Sequence, residues 1–217
     1  MHLSSTIIST IFIAAIAVVG VLVFKDDGSA PSILFAVSLA LLTSSVFYAV
    51  TVVVPDLSRR RRVRRGLSKQ YQSFKSRCID LFLIASRSQK YQNRENLLNH
   101  KEFRRYFSIR DENGQSRWNL VATSIDNQDY IFNEIVREFD FLDREIEFAR
   151  LSVEINDEAV EQFFINLRQV IHTIKAAEEN TDDYKHFCRT LWGVFARWNF
   201  VDGQIEEDII ESMISGI

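Results

Sequence analysis

The sequence predicts an all-α protein: an N-terminal two-helix transmembrane hairpin over 1–56, a polybasic linker over 57–66 and a cytosolic helical bundle over 67–217. Three observations carry this. Two stretches without a charged side chain, Leu3–Phe24 and Pro31–Val54, run for 22 and 24 residues, and each is long enough to cross a hydrocarbon core of about 30 Å as a helix. Six arginines then fill seven positions, Arg59–Arg65. Beyond them no proline occurs among residues 56–217, and apolar residues recur at steps of three and four, the spacing of one helical face.

The first span, about 3–24, lacks the basic start of a secretory signal and is read as a retained helix. Lys25-Asp26-Asp27-Gly28-Ser29-Ala30 is a short, net acidic link. The second span, about 31–54, lies between Pro31 and Pro55, the chain's two prolines. Pro31 suits a first helical turn, and Pro55 is expected to end the span. Within it Ser32, Ala36, Ala40 and Ser44 recur every fourth residue, a smooth face on which another helix can approach closely. Arg59, Arg60, Arg61, Arg62, Arg64 and Arg65 set the orientation, since basic flanks stay in the cytoplasm. Both termini are therefore expected in the cytoplasm, with the chain multi-pass in a bacterial inner membrane. Neither span holds an ionisable group, which argues against a pump or proton-coupled transporter.

Past the arginines a helix is predicted over 67–92, with Tyr71, Phe74, Cys78, Leu81, Phe82 and Ala85 on one side, placed to continue the second span after a break. A shorter helix is predicted around Asn96–Tyr106. Asn113-Gly114 marks a turn, so a small β-hairpin or a loop is expected within 107–121. Asp126-Asn127 should start a long helix to about Ile155. It carries one stripe of Ile131, Ile135, Phe139, Leu142, Ile146, Ala149 and Val153 and a second of Phe141, Phe148 and Ile155. Two apolar faces place it centrally or at a subunit interface. Asn156 is expected to cap a helix to about Ala177 with Val160, Phe164, Leu167, Ile171 and Ile174 inward, and Thr181-Asp182-Asp183 to open another carrying Tyr184, Phe187, Cys188, Leu191, Phe195 and Trp198. The chain turns at Asp202-Gly203 and ends in a short helix. Trp192 and Trp198 are assigned to the core or an interface, and Cys78 and Cys188 are read as buried thiols.

Charge is divided unevenly: residues 1–65 carry 7 basic and 3 acidic side chains, 66–118 carry 11 and 5, and 119–217 carry 8 and 21. A basic first half suggests anionic partners there, with membrane lipid the plain partner for the arginine run. The sequence holds no G-x-S-x-G, no glycine-rich phosphate loop and no spaced metal-ligand set, so no cofactor and no metal are expected. The acids around Asp202-Gly203 lack the alternating ligands of a calcium loop.

Two constellations remain. Arg94 and His100, separated by five residues, resemble the R-x4–6-H motif of HEPN ribonucleases. That resemblance implies RNA cleavage by the two residues paired across a dimer. The second is a binding surface: nine basic residues fall between Arg87 and Arg117, interleaved with aromatics and amides. Arg94, His100, Lys101, Arg104, Arg105 and Arg117 supply donors to phosphates, Trp118 a stacking plane and Asn119 an amide. Arg168 and His172, on one face of a later helix, are expected to complete the pocket. Such ingredients suit an adenine nucleotide or short oligonucleotide; a solvated basic face near lipid is the plain alternative.

In layout the chain resembles the membrane-anchored ancillary effectors of type III CRISPR systems, and within them the Vibrio type. The resemblance rests on the order and size of its parts: spans at 3–54, arginines at 59–65, helices at 67–217. It implies an antiviral-defence effector without catalytic activity, a tetramer whose cytosolic domain binds cyclic tetra-adenylate and whose hairpin then gates or disrupts the membrane. A constitutive scaffold or phage-exclusion protein is the third reading.

Overall fold

A computed structural model describes residues 2–23, 33–127, 129–175, 181–199, 203–204 and 206–217. Among them the protein is helical nearly throughout. Helix α1 spans His2–Val23, α2 Ile33–Tyr48, α3 Val54–Ala85, α4 His100–Phe107, α5 Arg117–Asn127, α6 Asp129–Ser152, α7 Glu158–Lys175, α8 Thr181–Ala196 and α9 Ile209–Ser215. A 3-10 turn, Arg94–Leu98, precedes α4. Strands β1 (Trp198–Asn199) and β2 (Gly203–Gln204) form a two-residue antiparallel pair.

Pro55 does not end the second apolar segment, contrary to the expectation. Helices α2 and α3 are joined by a π-helical turn, Ala49–Val53, in which the Val54 N–H donates to the Ala49 carbonyl. Proline lacks an N–H, and its ring crowds the carbonyl one turn back. The wider π turn makes room by one residue. The result is one unbroken rod. Its Phe35–Ala85 part covers 51 residues, roughly 75 Å at 1.5 Å per residue. It is long and apolar enough to cross a membrane, and only 6% of its most apolar window is buried. A core helix of a soluble domain would be mostly covered.

Helix α1 packs along α2. A Cβ at Gly20 would lie 2.3 Å from the Ser38 Oγ, so a side chain there would force the Ser38 hydroxyl to turn away. Ala17 and Ser45 are buried, while Ala36, Ala40 and Ser44 stay exposed. The small-residue stripe is therefore not the face that meets α1. Ser32, Pro31 and the 25–30 link lie outside the described residues.

The arginine run is helix rather than linker. Arg60 is buried: its Nε donates to Asp56 at 3.0 Å and its guanidinium to the Glu154 carbonyl at 2.7 Å. Val63 and Leu67 already belong to the core, while Arg59, Arg61, Arg62, Arg64 and Arg65 are exposed. The packed domain thus starts a turn or two before residue 67.

Helix α6 lies along α3. Arg77 reaches Glu138 at 3.1 Å, a Cβ on Gly66 would meet Glu145, and Arg60 meets Glu154. As residue numbers fall on α3 they rise on α6, so the two are antiparallel. The first stripe of α6, from Ile131 to Val153, is buried against α3 and α8 residues such as Phe74 and Phe187. Of the second stripe Phe141 and Phe148 are exposed, Phe148 by 56%, with Leu151 near them 81% exposed, whereas Ile155 is half-buried against the core.

Three boundaries differ from expectation. Helix α3 stops at Ala85 and not near 92: the Ser86 hydroxyl donates back to the Phe82 carbonyl at 2.7 Å, and Arg87 turns left-handed at φ 55°, a conformation that closes helices. The 107–121 segment makes a turn but no hairpin. Asp111 Oδ1 accepts from the Asn113 and Gln115 N–H groups, Gly114 takes φ 75°, and one bridge pairs Arg110 with Ser116. Ser116 Oγ then accepts from the Asn119 N–H at 3.1 Å and caps α5, an unforeseen helix ahead of the long one expected from Asp126-Asn127, which is α6 at Asp129–Ser152. Asp157, not Asn156, caps α7 by accepting from the Ala159 N–H at 2.9 Å. The inner faces of α7 and α8 are buried at Val160, Phe164, Ile171, Ile174, Phe187 and Leu191, but α8 ends at Ala196 and the Trp198 expected on it stands in β1.

Candidate functional site

The predicted basic surface folds around an aromatic knot. Phe82 of α3 meets Phe103 and Phe107 of α4, Trp118 of α5 and Phe195 of α8 with ring centroids 5.0–6.2 Å apart. Trp192 joins at 5.0 Å from Trp118. One edge of Trp118 is therefore core, a correction to its reading as a free stacking plane; its half-buried remainder still reaches a pocket described below.

Most of the basic residues serve the fold. Arg94 donates to Asp80 at 3.1 Å and to the Gln89 carbonyl at 3.0 Å. Arg105 pairs with Glu102 on the same helix. Arg117 donates to the Tyr106 carbonyl at 3.1 Å and lies over the Tyr106 ring at 4.2 Å. Arg168 is held at 2.7 Å by Asp143, whose other oxygen is 3.8 Å from His172; that hydrogen bond raises the Arg168 pKa against the effect of burial. Since α7 packs on α6 and α9, Arg168 and His172 face the acids of α6 and do not close a pocket around 94–119. Arg94 and His100 are likewise separated. Arg94 faces α3 and the 86–93 turn, whereas His100 is buried beside Arg197 and Arg104; the HEPN resemblance implies a pair formed across two chains rather than within one.

Two predicted residues do line a pocket. A cavity of about 310 Å³ between α5 and α8 is bordered by Trp118, Asn119, Thr123, Asp126, Tyr184 and Arg189, with Lys185 and Cys188 beside them. It combines aromatic walls, an amide, a hydroxyl and cations. Its α8 half was missed, because Tyr184, Lys185 and Arg189 stand in a segment whose charge is strongly acidic overall. The Cys188 thiol is pushed up to about 12, by burial first and by the Asp126 charge second. At pH 7–8 a thiol reagent should therefore label neither Cys188 nor the fully buried Cys78 in folded protein. Both should react on unfolding, which Ellman titration with and without denaturant checks.

A second cluster went unread in the sequence. Asp208 is buried and accepts from Lys75 Nζ at 3.0 Å, Tyr71 Oη at 3.0 Å, Arg197 Nη2 at 3.3 Å and the Glu211 N–H at 3.3 Å. Burial pushes its pKa up, but the Lys75 charge and these hydrogen bonds outweigh that and hold it below the ordinary value. Tyr71 is driven well above its usual value by burial and by the Asp208 charge. The sequence did carry a signal: Lys75 interrupts an otherwise apolar α3 face. Beside this cluster lies the larger cavity, about 390 Å³, lined chiefly by apolar groups such as Phe163, Leu167, Val170, Val194 and Ile210.

Among the described residues no three His, Cys, Asp or Glu side chains converge as a metal site. No known protein family matches the chain, and neither a curated protein nor a solved structure matches it.

Proposed function

We propose that the chain is a ligand-gated membrane effector of antiviral defence, without catalytic activity. Its ligand is a cyclic oligoadenylate, cyclic tetra-adenylate by preference. Its seat is a bacterial inner membrane, crossed by α1 and by the α2 part of the rod with both termini cytoplasmic. The observation that carries this reading is the unbroken helix. One rod leaves apolar surface bare at one end and forms the spine of the packed domain at the other. A change in how the domain packs on α3 must then turn or tilt the apolar segment, because a helix transmits motion along its axis.

The α5–α8 cavity supports a nucleotide as the ligand. Trp118 and Tyr184 offer stacking planes, Asn119 and Thr123 hydrogen bonds, and Lys185 and Arg189 positive charge. At about 310 Å³ it stands at the small end of ligand sites, room for one nucleotide unit. A cyclic tetranucleotide would then be shared by four copies. The uncovered faces suit such an assembly: Phe141, Phe148 and Leu151 on α6, and Ala36, Ala40 and Ser44 on α2. A ligand shifts a two-state assembly only by its difference in affinity for the two states, and a shared ring adds one set of contacts per copy.

Full-length protein in lipid nanodiscs, titrated calorimetrically with cyclic tri-, tetra- and hexa-adenylate, should give heat with one ring size. Proteoliposomes should release dye only with that ligand. Folded protein that gives no heat with any of them would overturn the ligand assignment, and release without ligand would favour a constitutive membrane protein.

A further inference from the structure

His100 is the first residue of α4 and only 8% exposed, yet its Nε2 has no hydrogen-bond partner. A buried ring nitrogen left unpaired costs about 1–3 kcal/mol and calls for an explanation. Its surroundings are positive. Arg197, at the C-terminal end of α8, and Arg104 and Lys101 of α4 all press on it, with Glu206 before α9 opposing them. Burial and these charges together hold the His100 pKa below its ordinary value. Glu206 pairs with Lys101 at 3.2 Å, while Arg104, half-buried, makes no ion pair among the described residues. Arg197 sits at φ 51°, a left-handed conformation that arginine rarely adopts, donating to the Glu206 carbonyl at 2.6 Å and to Asp208 at 3.3 Å.

An unpaired donor, two guanidinium groups and an ammonium beside a helix start are the arrangement that an anion with several oxygens satisfies. We propose that His100, Lys101, Arg104 and Arg197 form a phosphate-binding site. The anion accepts from His100 Nε2–H and from the guanidinium groups of Arg104 and Arg197, taking the place of Glu206 at Lys101. The phosphate belongs to a soluble ester and not to a lipid headgroup. The site abuts Phe103, which packs on Phe82, 28 residues along the rod from Val54 and so about 40 Å away. Through Arg197 it touches the Asp208–Lys75–Tyr71 cluster on α3, which gives occupancy a direct route to the rod. Only the identity of the ester rests on the function proposed above; the site itself does not.

The test uses full-length protein in nanodiscs with labelled histidine ring carbons, the His100 signal being identified with His100→Gln. Its titration midpoint should lie below about 6.5 and rise by about one pH unit or more with saturating inorganic phosphate. Arg104→Gln, which keeps most of the side chain's volume while removing its charge, should weaken phosphate binding about tenfold. An unmoved midpoint, or unchanged affinity in Arg104→Gln, overturns the site. A response to phosphate but not to cyclic tetra-adenylate leaves the site standing and assigns it a different phosphate ester, while nucleotide binding in the α5–α8 cavity is decided by the calorimetry above. A rise in discs of anionic lipid over neutral ones, without added phosphate, overturns the soluble source.

Discussion

Replacing Asp208 with alanine is expected to lower folding stability by about 3–5 kcal/mol. The size follows from what is left behind. Lys75 is buried and pairs with Asp208 at 3.0 Å, so losing the carboxylate strands an ammonium away from water. The same change removes the acceptor for Tyr71 and Arg197 and the cap of α9. A double substitution separates these causes. Lys75→Met in the Asp208→Ala background should recover at least about 1 kcal/mol, since the stranded charge is gone while its packing volume remains. Denaturant unfolding in mixed micelles measures both, and a loss below about 1 kcal/mol in Asp208→Ala would show the cluster to be incidental.

The cluster also sets a pH window. Asp208 has a folded pKa below its unfolded value of about 3.9. Its contribution is therefore complete above that value and lost as pH falls through the folded one. Tyr71 has a folded pKa above its unfolded value of about 10, so its contribution is complete below pH 10 and lost as pH rises further. Both limbs should flatten in Asp208→Ala.

How much of this could be read in advance depends on how local the cause was. The inner faces of α7 and α8 were legible because burial follows helical spacing, and the apolar segments because their length is unambiguous. The α5 start was hidden: Ser116 is an ordinary serine until the Asp111 turn brings it to the end of a helix. Pro55 misled for a related reason, since a π turn that absorbs a proline leaves no mark in composition. At the candidate site the basic residue types pointed to the right segment but not to the right side chains. Arginines beside acids of another element, such as Arg94 with Asp80 and Arg168 with Asp143, look the same in sequence as arginines waiting for a ligand. The exceptions, His100 and Arg104, gather with the Glu206-paired Lys101 around Arg197, almost a hundred residues away.

Two glycines inserted between Leu57 and Ser58 should abolish ligand-dependent dye release, by about tenfold or more, while leaving nucleotide affinity within about threefold. The insertion falls after Pro55 and before Arg60, where the rod passes from bare apolar surface to packed core. Each glycine in a helix interior costs about 1 kcal/mol and frees the backbone to bend. Taking an assembly from 1:99 to 99:1 requires about 5.5 kcal/mol of differential binding, and a flexible joint cannot pass that bias on, because the domain and the apolar segment then settle independently. A control distinguishes stiffness from length. Seven helix-forming residues inserted at the same point extend the rod by about 10 Å and return the apolar segment to nearly its original rotation. Release should survive that change, provided the Asp56–Arg60 pair is rebuilt beyond the insertion. If the glycine insertion still releases dye on adding ligand, the unbroken helix is not the transmission path, and the function proposed for it fails even if the ligand binds.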